Sequence, residues 1–177
     1  MNYEIIINLI SAIAVVLSVV FLAFQIKKNT DAVKANFYDS LNNSNIEFIK
    51  QLVEHERLGK LLELGSESWN SMDVDDKRTA NFLFIQLYRH WENMFYQNKM
   101  KVFEGWLWES HRNTMISYFH KQGIKEWWNY RKQSFSKEFG QFLENSKAPK
   151  EIYQTVEELT KQYLENRNSP DKNSIKK

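Results

Sequence analysis

The sequence predicts an all-α protein: an N-terminal transmembrane helix that continues into a stalk, followed by a cytosolic bundle of about five helices. Three observations predict it. Residues 5–24, IIINLISAIAVVLSVVFLAF, run for 20 positions without a charge, and a helix of that length spans about 30 Å, the hydrocarbon thickness of a bilayer. Aromatic side chains make up 15% of the 177 residues while Gly and Pro number only 5 and 2, a balance of bulky cores and few tight turns that suits helices better than a β-sandwich. Beyond the apolar run, hydrophobic residues recur at spacings of three and four, the period of a helix with one buried face.

Taken in order, residues 1–26 form the predicted anchor. A cleavable signal peptide needs a basic n-region and a short apolar core, but Glu4 is the only charge before the run and FLAFQIKK follows it, so the segment reads as a retained span. Lys27 and Lys28 lie just after it with no Lys or Arg before. The positive-inside rule then puts the N-terminus outside and the rest of the chain in the cytoplasm. Within the span Asn8, Ser11, Ala14 and Ser18 share one helical face, and small residues there permit close helix approach in lipid. That face is the candidate for homo-oligomerisation through the transmembrane helix, although single spans also carry small residues without pairing.

Residues 27–44 continue as a helical stalk, with Ile26, Thr30, Val33, Phe37 and Leu41 in helical register. LNNSN at 41–45 weakens the helix, because Asn and Ser compete for backbone hydrogen bonds, and Ser44 or Asn45 suits a new cap. The cytosolic domain, 45–165, starts with a helix over about 45–64 and an interruption near Gly59. GSESWNSMDVDD at 65–76 is a loop whose acidic end favours a helix N-terminus. Further helices are expected over 73–98, 102–121 and 124–145, with Gly123 as a break, and Pro149 restarts an amphipathic helix over 149–165. Residues 166–177, without an apolar period, read as a disordered tail.

The absence of cysteine excludes disulfides and thiolate chemistry. A net charge of +2 with interspersed signs gives no electrostatic footprint for nucleic acid, so none is expected as a partner. There is no HExxH and no Glu-x-x-His pair, no Walker or dinucleotide loop and no nucleophile elbow. Nor is there an Arg-x4-6-His element of a HEPN-type RNase: Arg89 adjoins His90, and Arg112 stands eight before His120. No cofactor or metal is expected; a site assembled from His90, Glu92 and His111 is geometrically conceivable, but a histidine on a core face is usually a satisfied core residue.

What chemistry there is gathers in three aromatic helices. Arg89 and Glu92 lie three apart in RHWENMFYQ (89–97), on a helix whose residues Phe82, Leu83, Phe84, Ile85, Leu87, Tyr88, Trp91, Met94 and Phe95 surround the axis. His111 falls between Leu107 and Met115, and Ile124, Trp128, Arg131, Phe135, Phe139 and Phe142 form a seam on the next helix. Two readings of Arg89, Glu92, His111, Arg131 and Trp128 follow. One is a hydrogen-bonded ion-pair network that fixes helix register, since buried charges must be paired. The other is a receptor pocket with cationic and aromatic walls for a small anionic or planar ligand.

FQIKKNTDAVKANFY (24–38), YRHWENMFYQNKM (88–100) and GIKEWWNYRKQSFSKEFGQFL (123–143), together with the N-terminal span, carry a resemblance. The chain resembles a group of short bacterial single-pass membrane proteins with no established activity. Gln25, Asn29 and Thr30 match that group's stalk, Arg89, Glu92, Asn93 and Gln97 its central helix, and Trp128 and Arg131 its last helix; Asn98-Lys99-Met100 departs from a pattern that often has Gly after the Gln. The resemblance implies the bacterial inner membrane as location and assigns no catalytic residue. The function expected is a membrane-anchored cytosolic interaction or sensing protein that meets a protein partner and is not an enzyme. The receptor, and a toxin-like or phage-defence effector, stand as alternatives.

Overall fold

The computed structural model describes residues 3–102, 104–149, 159–161 and 163–165, and these are mostly helical, with no strand among them. The elements are α1 (Tyr3–Glu54), α2 (Glu56–Glu67), α3 (Val74–Lys99), α4 (Gly105–Phe119), α5 (Gln122–Arg131), a 3-10 turn (Lys132–Ser134) and α6 (Lys137–Glu144). Contacts divide the chain into one unit over 1–50 and a second over 51–177.

The first unit is nearly all α1, whose 52 residues rise about 78 Å. Among the described residues it is the one helix long and apolar enough to cross a membrane; its best 18-residue window has mean hydropathy 2.9, and none of that window is buried within the chain. The expected weakening at 41–45 does not interrupt it. Asn and Ser in a helix interior each cost under about 0.7 kcal/mol relative to Ala, less than stopping a formed helix and nucleating another. The break falls at His55, whose carbonyl accepts the Leu58 N–H at 2.7 Å.

In the second unit α2 packs against α3 and α5, and α4 against α5. No interruption occurs at Gly59, and α2 runs on through Gly65 to Glu67, into the segment expected as loop. Asp73 caps α3 by accepting the Asp76 N–H at 2.8 Å, as the acidic run 73–76 suggested. Gly123 does not break a helix; it sits buried in the first turn of α5. A Cβ there would lie 2.1 Å from the Gly65 carbonyl oxygen and 2.7 Å from the Ser68 nitrogen, so its missing side chain lets the start of α5 touch the end of α2.

The helix expected over 124–145 is two. α5 ends at Arg131, the backbone turns extended at Phe135 (φ −114°, ψ 163°), and Ser136 precedes α6. The bend turns both halves of the aromatic seam inward: Trp128 and Phe135 stack at 5.2 Å, and Phe139 meets Phe95 at 5.7 Å. The core is Phe84, Tyr88, Trp127 and Phe139, all fully buried. Trp127 was not in the expected seam, while Phe82, placed in the core by its position on α3, is 66% exposed; α3 is therefore covered on part of its circumference only. The junction after α3 closes with Val102 N–H to Gln97 O and Lys101 N–H to Asn98 O, and puts Lys101 at φ 58°. A left-handed residue at that position is usually glycine, and Lys there costs about 1 kcal/mol. Of the expected helix 149–165, Pro149 is described and lies outside any helix, and 159–161 and 163–165 are described as helix; the rest of it, and the tail 166–177, lie outside the described residues.

Candidate functional site

α3 presents its polar residues at two levels, and each level binds a different part of the chain. At the lower one, Arg89 donates to Glu92 Oε2 at 2.6 Å and to the Ser134 carbonyl at 2.5 Å, while Glu92 Oε1 accepts the Ser136 N–H at 2.7 Å. The guanidinium also lies 5.0 Å over the Phe135 ring. Glu92 is 8% exposed and Arg89 53%, so the carboxylate is the buried member and the cation reaches solvent. The pair is thus a clamp on the break between α5 and α6: it takes up a carbonyl and an N–H that an unbroken helix would have paired internally. Burial works to raise the Glu92 carboxyl, but the Ser136 N–H and the Arg89 guanidinium outweigh it and hold it below its ordinary value.

At the other level stands Asn81, buried in α3 and not singled out from the sequence. Its Oδ1 accepts from Trp127 Nε1 at 3.2 Å and from Arg131 Nε at 2.8 Å. Arg131 therefore turns to Asn81. Trp128 Nε1 donates to Glu144 Oε1 at 3.1 Å, an atom shared with Lys132 Nζ at 3.3 Å, which ties α5 to the end of α6. The register-fixing network expected of Arg89, Glu92, His111 and Arg131 is thus distributed over separate clusters.

His90 on α3 and His111 on α4 are both half-buried. Burial pushes each imidazole below its ordinary value, and for His90 the nearby His111 adds to the effect. Among the described residues no group of three or more His, Asp or Glu is placed to hold a metal ion, so His90, Glu92 and His111 do not converge on one.

No family model, curated protein or solved structure matches this chain. Its chemistry is then read from its own atoms. Both Glu92 oxygens are engaged, and a carboxylate so held is a poor general base. The aromatic wall is filled by its own rings, with Tyr88 in contact with Trp91, Trp127, Trp128 and Phe135 at 4.9–6.2 Å. Asn81 had a legible signal, because it stands in the strip Asn81, Phe84, Tyr88, Trp91 at helical spacing. Ser134 and Ser136 had none, since their part is played by backbone atoms. On α1, Asn8, Ser11, Ala14 and Ser18 are exposed, and the Ser18 hydroxyl donates to the Ala14 carbonyl at 2.8 Å.

Proposed function

We propose that this chain is a single-pass membrane protein whose helical domain, on the cytoplasmic side, acts by binding a protein partner. The observation that carries the reading is the exposure of the apolar run. Thirteen large apolar side chains between Ile5 and Phe24 stand more than half exposed. At roughly 1.5–3 kcal/mol for each such side chain buried, forgoing that burial in water exceeds the roughly 5–15 kcal/mol that stabilises a whole domain. Because the run is apolar on all faces, lipid meets it more simply than a partner covering one side. Lys27 and Lys28 support an N-terminus outside, and the resemblance to bacterial single-pass proteins supports the bacterial inner membrane. Pairing of two copies through Asn8, Ser11, Ala14 and Ser18 is part of the same proposal.

Binding is favoured over catalysis by the engagement of Glu92 with the Ser136 N–H and of Arg131 with Asn81, and over ligand reception by the ring-filled core. The test is extraction. The full chain is expected to resist alkaline carbonate and to dissolve only in detergent; recovery in the supernatant after high-speed centrifugation, free of lipid, overturns the anchor. The chain has no cysteine, so Tyr3→Cys and Ser71→Cys report topology. In spheroplasts an impermeant maleimide is expected to label the first and not the second. Crosslinking in native membranes that trapped only monomer removes the pairing.

A further inference from the structure

The part of α3 that the core leaves uncovered is a continuous strip. Val74, Arg78, Phe82, Ile85 and Arg89 follow one another three or four positions apart, so they lie along one face of the helix. Val74 is 74% exposed and Phe82 66%, with Ile85 half-buried between Phe82 and Arg89. Arg78 pairs with Asp75 at 3.1 Å, and both side chains are more than two-thirds exposed. Such a pair is screened by water and readily exchanged for another. Arg89 shows only its cation at the surface, because the Glu92 carboxylate that balances it is buried.

Arg131, exposed on α5, joins this strip at its edge. Its Nε donates to Oδ1 of Asn81, the neighbour of Phe82 in the chain, and the same oxygen is fixed by Trp127 Nε1. Among the described residues no carboxylate pairs with Arg131, and its two terminal amino groups have no hydrogen-bond partner. A guanidinium already held in one orientation loses little freedom when it grips a carboxylate with two parallel hydrogen bonds. An aromatic ring set among arginines is also the composition that gathers at the centres of protein interfaces.

We propose that this strip is the docking surface for an acidic segment of a partner protein: Arg131 and Arg78 take its Asp or Glu carboxylates, and an apolar side chain between them covers Phe82. The inference rests on the reading of the chain as a binder of protein, and it adds where the partner sits and by what chemistry. An acidic occupant follows from charge complementarity, since Arg78, Arg89 and Arg131 face solvent here and Asp75 is the exposed acid beside them.

The test places p-benzoylphenylalanine at position 82 of the full chain and irradiates the native cells that carry it, with Thr114, exposed on α4, as the control position. The adduct at 82 is expected to hold a peptide of another protein with Asp or Glu close to the attached residue. A synthetic copy of that peptide should bind the detergent-solubilised chain, and a copy with its acids changed to amides should bind about tenfold more weakly. Arg131→Gln and Arg78→Glu are each expected to weaken binding about tenfold. Arg131→Gln also gives up the bond to Asn81, so Arg78→Glu, at an exposed position with an unchanged thermal melt, is the variant that decides. A captured peptide without acids, an affinity indifferent to Arg78→Glu, or an adduct to a second copy overturns the acidic docking surface. Affinity purification of the full chain separates the two readings. A co-purified protein with no adduct at 82 removes this surface and leaves partner binding standing, whereas no protein in either experiment removes both.

Discussion

At the scale of single residues, Glu92 and Gly123 fit the second unit for opposite reasons, one by the hydrogen bonds it accepts and the other by the side chain it lacks. With Arg89 buried against it, Glu92→Ala would cost about 2–4 kcal/mol through a stranded cation. Arg89 is 53% exposed, however, so the group left without a partner is the Ser136 N–H. The expected loss is then about 1–3 kcal/mol, and Glu92→Gln, which keeps an acceptor oxygen, should lose less; chemical denaturation of both variants measures the difference. Gly123→Ala forces a methyl group against backbone atoms 2.1–2.8 Å away. Backbone does not yield, so a loss of about 3 kcal/mol is expected. Gly65→Ala meets the Met72 thioether and the buried Phe84 ring at 3.0 Å; side chains shift by a few tenths of an ångström more readily than backbone, and a gain in helix propensity of about 1 kcal/mol works against the strain, so a smaller loss than for Gly123→Ala is expected. Equal melting temperatures for the two variants would refute the close approach.

Between elements, two acid-sensitive junctions differ in the pH at which they fail. His90 and His111 have pKa values lowered by burial, so folding favours their neutral forms. Their contribution is fully present above the unfolded value of about 6.5 and is lost as pH falls below it toward the folded values. Glu92 is also lowered, from 4.5, so its contribution persists until pH drops below that. Melting temperature is therefore expected to fall first as pH drops below the ordinary imidazole value of about 6.5 and again below the ordinary carboxyl value of about 4.5. His90→Gln with His111→Asn should flatten the first fall and spare the second; a profile unchanged by the double variant rules out the histidine junction. The break between α5 and α6 belongs to this scale too. Helical periodicity runs unbroken through KQSFSKEF, so the sequence reads as one helix. What interrupts it is the Arg89 and Glu92 clamp, supplied from more than 40 positions away in the chain.

Over the whole molecule, the two units answer to different forces. The first has one buried residue on α1, Leu41, whereas the second holds the aromatic core. In micelles, urea is accordingly expected to abolish the near-ultraviolet dichroism of the tryptophans in one cooperative step while part of the far-ultraviolet helix signal persists from the lipid-like phase around α1. Loss of both signals at one midpoint would mean that α1 depends on the second unit for its helix. The all-helical class, the long apolar N-terminal helix and a helix start at the acidic run 73–76 were legible in the sequence, because each rests on composition, period or neighbours a few residues apart. Asn81 as a shared acceptor, Trp127 as the centre of the core, the contact of Gly123 with Gly65 and the broken last helix were decided only by tertiary structure. Each is a meeting of groups distant along the chain, where space and hydrogen-bond partners, not local propensity, choose the outcome.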